Sequence, residues 1–320
     1  MNPLHRAVIT TLAYFDAFDR PLTKEELWRW LWIPGGASEH IPQTQAGFFH
    51  DLQALKESGA LGYINGYYFL PGRDDILNIY QGRVRLVEHK MRRARRAARL
   101  IRFVPFVRAV FVCNTIAMGS PKKESDIDVC IVVRRGRMWL ARLLVTLLLS
   151  AARLRRTKTH INSRVDLSFY VADDALRFSK LRMWDDDVYL AYWILQLIPL
   201  YDPHRLLSEM QKENTWVAAF VPKGFAPYAL SSRWRVQDRR FTSFVRGFFE
   251  RIWGGGYGTM MERQAKELQL LKMKFNAASV KDEPDSRVIV SDSMLKFHEK
   301  DRRGHYRDAW KKLLAHHLPQ

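Results

Sequence analysis

Three aspartates carry the chemistry open to this sequence. Asp126 and Asp128 stand in "SDIDVCIVV", at the head of a β-branched run. Strand side chains alternate with a period of two, so both carboxylates point to one face while Ile127 and Val129 point to the other. Two carboxylates about 7 Å apart on one strand face can share a pair of Mg²⁺ ions, hard cations that take oxygen ligands and keep waters or substrate phosphates. Asp166, in "RVDLSFYV", alternates with Val165 and Leu167 in a second apolar run and is the candidate third ligand. Each acid also has a plainer reading: an acid pair at a strand edge for Asp126 and Asp128, and an edge pairing with Arg164 for Asp166.

Elements with the right alternation surround these acids. "FVRAVFVCN" reads as a buried strand, "TIAMGSPKKES" as a turn and short helix, "DIDVCIVV" as a strand, "GRMWLARLLVTLLLSAARLRR" as a long helix and "SRVDLSFYVA" as a third strand. Residues 105–175 are therefore expected to form an α/β core with a mixed sheet. Residues 176–320 read as mostly helical, with a polar surface loop over 276–287 and a final strand or extended piece before basic helices. The apolar runs Met138 to Ala152 and Val188 to Tyr201 are shorter than the roughly 20 residues a membrane-spanning helix needs, and both read as buried helices. Asp185, Asp186 and Asp187 precede the second run and suit the N-terminal turn of a helix better than a metal site.

Residues 1–75 read as a smaller unit. A helix from Pro3 to Phe15 precedes Thr23 and Glu26, spaced as a capping box. After a loop with Pro34, Gly35 and Gly36 comes a third helix, "QAGFFHDLQALKESG", stopped at Gly59. "ALGYINGYYFLPG" then signals a type I′ hairpin at Asn65-Gly66. Three helices and a hairpin in this order resemble a winged-helix domain, in which the third helix reads a groove and the hairpin is the wing. That helix offers His50 and Gln53 but neither Arg nor Lys between Gln43 and Leu55. DNA and protein both stay open as its partner.

Residues 76–104 form a basic connector. The stretch Gly82 to Val104 holds nine Arg or Lys against Glu88 alone, with Leu86, Met91, Ala94, Ala97, Ala98 and Ile101 as its expected buried face. Arg92, Arg93, Arg95 and Arg96 are the candidate phosphate contacts to nucleic acid. A solvated helix face is the other reading.

A strand, a small-residue turn, a short helix, an acid pair on the next strand and a later acid together resemble the DNA polymerase β-like nucleotidyltransferase superfamily, in its stand-alone prokaryotic form. The resemblance covers residues 105–172. It implies two Mg²⁺ ions and transfer of a nucleoside monophosphate from an NTP to a hydroxyl acceptor. Asp126 and Asp128 would hold both ions, and Asp166 the one nearer the acceptor. The family's phosphate turn is Gly-Ser or Gly-Gly at the end of the first strand. Gly119-Ser120 matches in letters, but only residues 121–125 separate it from Asp126, too few for the intervening helix. Asn114-Thr115, with residues 116–125 between, fits, and it puts Asn where the family has Gly. Asn tolerates left-handed backbone next best after Gly. Thr115 and the backbone around Asn114 would then hold the β- and γ-phosphates, with Lys122 and Lys123 as supplementary cations. The departure at Asn114 keeps a second reading alive: a catalytically impaired nucleic-acid-binding or regulatory protein. A toxin–antitoxin-type interaction module is a third.

Composition agrees with a polyanionic partner. The 320 residues carry 52 Lys+Arg against 33 Asp+Glu, a net charge of +19. Cys113 and Cys130 lie in apolar strand-like runs and read as reduced, buried thiols. With no signal-peptide pattern at the N-terminus, the expected location is cytoplasmic.

Overall fold

The computed structural model describes residues 2–33, 35, 41–226, 231–274, 287–297 and 301–318. The expected loop residues Pro34 and Gly36, and residues 276–286 of the expected polar loop, lie outside them.

Helix α1 (Pro3–Asp16) starts where the Asn2 side chain accepts the Leu4 N–H. Strand β1 (Leu22–Thr23) leads into α2 (Lys24–Trp30) through a reciprocal cap: Thr23 Oγ1 accepts from Glu26 N and Glu26 Oε2 from Thr23 N. Helix α3 (Gln45–Glu57) gives way to Gly59 at φ +74°, and β2 (Gly62–Ile64) turns into β3 (Tyr67–Phe69). Asn65 and Gly66 both take positive φ there, as a type I′ turn requires. The three strands form an antiparallel sheet in the order β1-β3-β2.

Helix α4 (Ile76–Ile101) follows, within the connector expected over 76–104. Then come β4 (Val107–Val112), the short α5 (Asn114–Ala117), β5 (Ile127–Val133), α6 (Met138–Ala151) and β6 (Val165–Ala172). The remaining elements are α7 (Val188–Leu195), β7 (Ile198–Tyr201), α8 (Leu206–Glu213), α9 (Arg240–Ile252), α10 (Gly256–Lys274), β8 (Val288–Val290), β9 (Met294–Phe297) and α11 (Arg303–His317). Six strands form one mixed sheet in the order β7-β4-β5-β6-β9-β8, with β5 and β6 parallel and every other pair antiparallel.

Two differences from the sequence expectation matter. The run Val188 to Tyr201 is not one helix: it breaks after α7, and β7 pairs with β4 at the sheet edge. Pro199 lacks an N–H and would break the i→i−4 ladder of a helix, whereas an edge strand tolerates it. The C-terminal region is rich in helices as expected, but it also returns β7, β8 and β9 to the sheet.

The central strands are apolar on both faces because both are covered. Val110, Val112, Val129 and Ile131 pack under α4 and α6. Phe111, Cys113, Cys130, Val132 and Phe169 face the opposite way, into a core shared with α1, α7 and Trp310 of α11. Both cysteines are buried and free. Residues from the N-terminal unit and the C-terminal helices interlock in that core: Trp310 Nε1 donates to Thr10 O (2.9 Å), Tyr192 Oη donates to Trp30 O (2.7 Å), and Trp32 stacks on Phe220. Among the described residues no helix is long and apolar enough to cross a membrane.

Candidate metal and nucleotide site

Asp128 and Asp166 are direct register partners on the parallel pair β5 and β6, and Asp126 lies two residues before Asp128. A bulge keeps the acids together. Asp128 pairs with Asp166 but Cys130 pairs with Phe169, so β6 carries one extra residue in this interval. Strict alternation would put Asp166 on the face of Tyr170, which packs with α4 and α6. The bulge instead gives it the face of Phe169, where Cys130 and Asp128 also point. One carboxylate oxygen from each of Asp126, Asp128 and Asp166 lies within 4.8 Å of the others.

Their electrostatics follow from this crowding. Burial first, then repulsion from Asp126 and Asp166, pushes the Asp128 carboxyl up to about 8. Asp166 is raised too, chiefly by burial, against the pull of Arg156. The Arg156 guanidinium bridges two of the acids, with Nε 3.1 Å from Asp126 Oδ2 and Nη1 2.9 Å from Asp166 Oδ2. The sequence alternative for Asp166 named Arg164; the ion-pair partner is Arg156. The segment after α6 runs beside the start of β6, with Arg156 N donating to Val165 O and Val165 N to Leu154 O, and this places the guanidinium over the acids.

Asn114 opens α5, separated from the end of β4 by Cys113, at φ +56°, in the left-handed region. Its side chain hydrogen-bonds the Asp128 carboxylate and accepts from Tyr189 Oη at 3.4 Å. Cys113 N donates to Asp128 O, tying the end of β4 to the acids on β5. Thr115 follows in α5, its carbonyl accepting from Ser120 N. Gly119 also has positive φ, but Ser120 is buried against the N-terminal unit, where its hydroxyl donates to Phe18 O and accepts from Arg83. Lys122 and Lys123 stand exposed, and among the described residues neither ammonium forms an ion pair with the three acids. Asp187, the last of the acidic run before α7, caps that helix by accepting the Leu190 N–H.

On α4, Arg92 and Arg96 are exposed, while Arg93 and Arg95 are half-buried. Arg92 pairs with Glu88, and Arg93 lies near enough to Arg164 and Arg96 that their repulsion adds to burial in lowering its pKa. Sequence reasoning passed over Lys90, Arg156 and Tyr189. Lys90 is completely buried; its ammonium donates to the carbonyls of Ser125 and Lys123 and to Ser163 Oγ, binding together the segments that lead into β5 and β6. A signal for it existed: Lys90, Ala94, Ala97 and Ile101 recur at helical spacing on the apolar face. Arg156 and Tyr189 had no comparable signal, because only the fold brings them to the acids.

Three oxygen donors with no sulfur or imidazole suit a hard divalent cation such as Mg²⁺. The fit is supported by Asp128, whose carboxyl is raised by burial and by its two acidic neighbours, a cost that a cation among the three oxygens would relieve. No protein-family profile, curated protein or solved structure matches the chain.

Proposed function

We propose that the chain is a Mg²⁺-dependent nucleotidyltransferase with a polymerase β-like core over residues 105–175, moving a nucleoside monophosphate from an NTP to a hydroxyl acceptor. The observation that carries this reading is the convergence of Asp126, Asp128 and Asp166 within 4.8 Å, next to a strand end whose Asn114 adopts left-handed backbone. Asp126, Asp128 and Asp166 would hold two ions, which when bound neutralise charge on the attacking and leaving oxygens. Asn114 and Thr115 would position the nucleotide phosphates, and Lys122 and Lys123 add exposed positive charge on the same connection. Asp166, its carboxyl raised by burial, is the group suited to accept the acceptor's proton. Exposed Arg92 and Arg96 make a polyanionic acceptor electrostatically favourable. The order α1-β1-α2-α3-β2-β3 supports a winged-helix reading of residues 1–75, and the outward His50, Gln53 and Glu57 of α3 favour a protein contact over DNA. A cytoplasmic setting suits an NTP-using enzyme with two free thiols.

Incubation with α-labelled NTPs, Mg²⁺ and RNA or protein acceptors tests the reading. Transfer is expected to fall at least about 100-fold in Asp126→Asn/Asp128→Asn; equal transfer by the double variant rejects it.

One observation favours the second reading, a catalytically impaired regulatory protein: the Arg156 bridge supplies the charge a metal would bring. On that reading Mg²⁺ fails to bind even to Arg156→Gln, while salt-dependent retention of nucleic acid still weakens when Arg92, Arg93, Arg95 and Arg96 become Ala.

A further inference from the structure

Helix α9 is amphipathic in the reverse of the usual sense. Its inward side is polar and locked: Glu250 accepts from Arg108 (2.7 Å) and from the Phe106 N–H (2.7 Å), and Arg246 pairs with Asp238 (2.8 Å) while donating to Tyr201 Oη. Its outward side is apolar. Phe241, Phe244, Phe248 and Ile252, spaced at i, i+3, i+7 and i+11, are 68, 71, 53 and 46% exposed. The two arginine–carboxylate pairs fix the rotation of the helix, so the aromatic stripe faces outward as part of the fold. Charge is sorted in the same way. Asp238 and Glu250 are the only acids from Ser231 to Gly258, and both turn inward onto arginines. Within this segment the exposed charges, Arg233, Arg235, Arg239, Arg240 and Arg251, are all positive.

We propose that α9 docks the protein onto an anionic lipid bilayer, the phenylalanines entering the headgroup boundary and the arginines meeting lipid phosphates. Three rigid aromatic side chains and a cationic rim on a helix lying along the surface are the features of an interfacial helix. A second copy of the chain fits worse. A stripe about 17 Å long and one helix, about 10 Å, wide covers roughly 170 Å², far short of the roughly 800 Å² per partner that a stable interface buries, and the arginine rims of two copies would repel. A stacked single-stranded nucleic acid fits worse as well, because the stripe includes aliphatic Ile252, which offers no π-face for a base.

Flotation of the full-length protein with phosphatidylcholine vesicles, with and without phosphatidylglycerol, tests the proposal. The protein is expected to float with the phosphatidylglycerol vesicles, less so as salt rises, and hardly at all with phosphatidylcholine alone. Phe244→Ser/Phe248→Ser is expected to lower partitioning at least about tenfold at an unchanged Tm, and Arg239→Gln/Arg240→Gln to remove the preference for anionic lipid. Absence of flotation, or partitioning equal to wild type in the phenylalanine variant, overturns the proposal. So does a phenylalanine variant that loses self-association or oligonucleotide retention while vesicle partitioning is untouched.

Discussion

Asp128 concentrates the electrostatic cost of the site. Burial and two neighbouring carboxylates oppose its charge and push its carboxyl up to about 8 from an ordinary value near 3.8. The folded state therefore holds this proton more tightly than the unfolded state does. Stability contributed by the metal-free site is intact below about pH 4 and is lost as the pH climbs through 8. On the proposed function, a divalent cation would offset that loss by taking the proton's place. In metal-free protein, Tm is expected to fall between about pH 5 and 8 and to level off above that. Asp128→Asn is expected to flatten that slope, to raise Tm at pH 8 by roughly 2–4 °C and to abolish stabilisation by Mg²⁺. A variant less stable than wild type at pH 8 would show that Asp128 is held by favourable contacts and not strained by repulsion. The three acids were legible in the sequence because each interrupts a β-branched run. Their true counter-ion was not: Arg164 is two residues from Asp166 along the chain, yet Arg156, ten residues away, reaches it.

The elements around the acids were legible to different degrees. Strands β4, β5 and β6 and helix α6 follow from apolar runs of the right length, and the hairpin follows from Asn65-Gly66. The bulge in β6 leaves no mark in a period-two pattern, since Leu167, Phe169 and Tyr170 are apolar on either count. Helix α4 was visible as basic and amphipathic, but its most consequential cation was counted with the solvated ones. Lys90 is buried, and removing its ammonium takes away the donor that ties the Lys123 and Ser125 carbonyls before β5 to Ser163 before β6, leaving Ser125 O with the Ser163 N–H alone. Lys90→Met is therefore expected to cost about 1–3 kcal/mol and, on the proposed metal site, to weaken Mg²⁺ binding about 10–100-fold, as loss of supporting hydrogen bonds does at metal sites. Arg92→Ala, two residues along on the exposed face, is expected to stay within about 0.5 kcal/mol of wild type. Thermal melts and metal titration of the two variants compare them directly; equal effects would mean that Lys90 does not brace the site.

Across the molecule, the N-terminal unit and the last helix depend on each other. Tyr14, Phe15, Trp32, Tyr192 and Trp310 are buried in one core, and rings from α1, α7 and the segment after α2 stack within it, Tyr14 on Tyr192 at 4.5 Å and Trp32 on Phe220 at 4.7 Å. The Trp310 indole reaches Thr10 O across 300 positions of sequence, a contact no local pattern could announce. Truncating this side chain removes a large buried ring and leaves a helix carbonyl without that donor. Trp310→Ala is expected to destabilise the whole chain by about 3–5 kcal/mol, and Trp310→Phe, which keeps most of the packing, by less. Because the core runs from α1 through the sheet to α11, unfolding is expected as a single transition in which amides of α1, β5 and α11 lose hydrogen-exchange protection together. If α1 to β3 keep their protection while α11 and the sheet melt in Trp310→Ala, the N-terminal unit is an independent domain and the shared core does not couple it to the acid site.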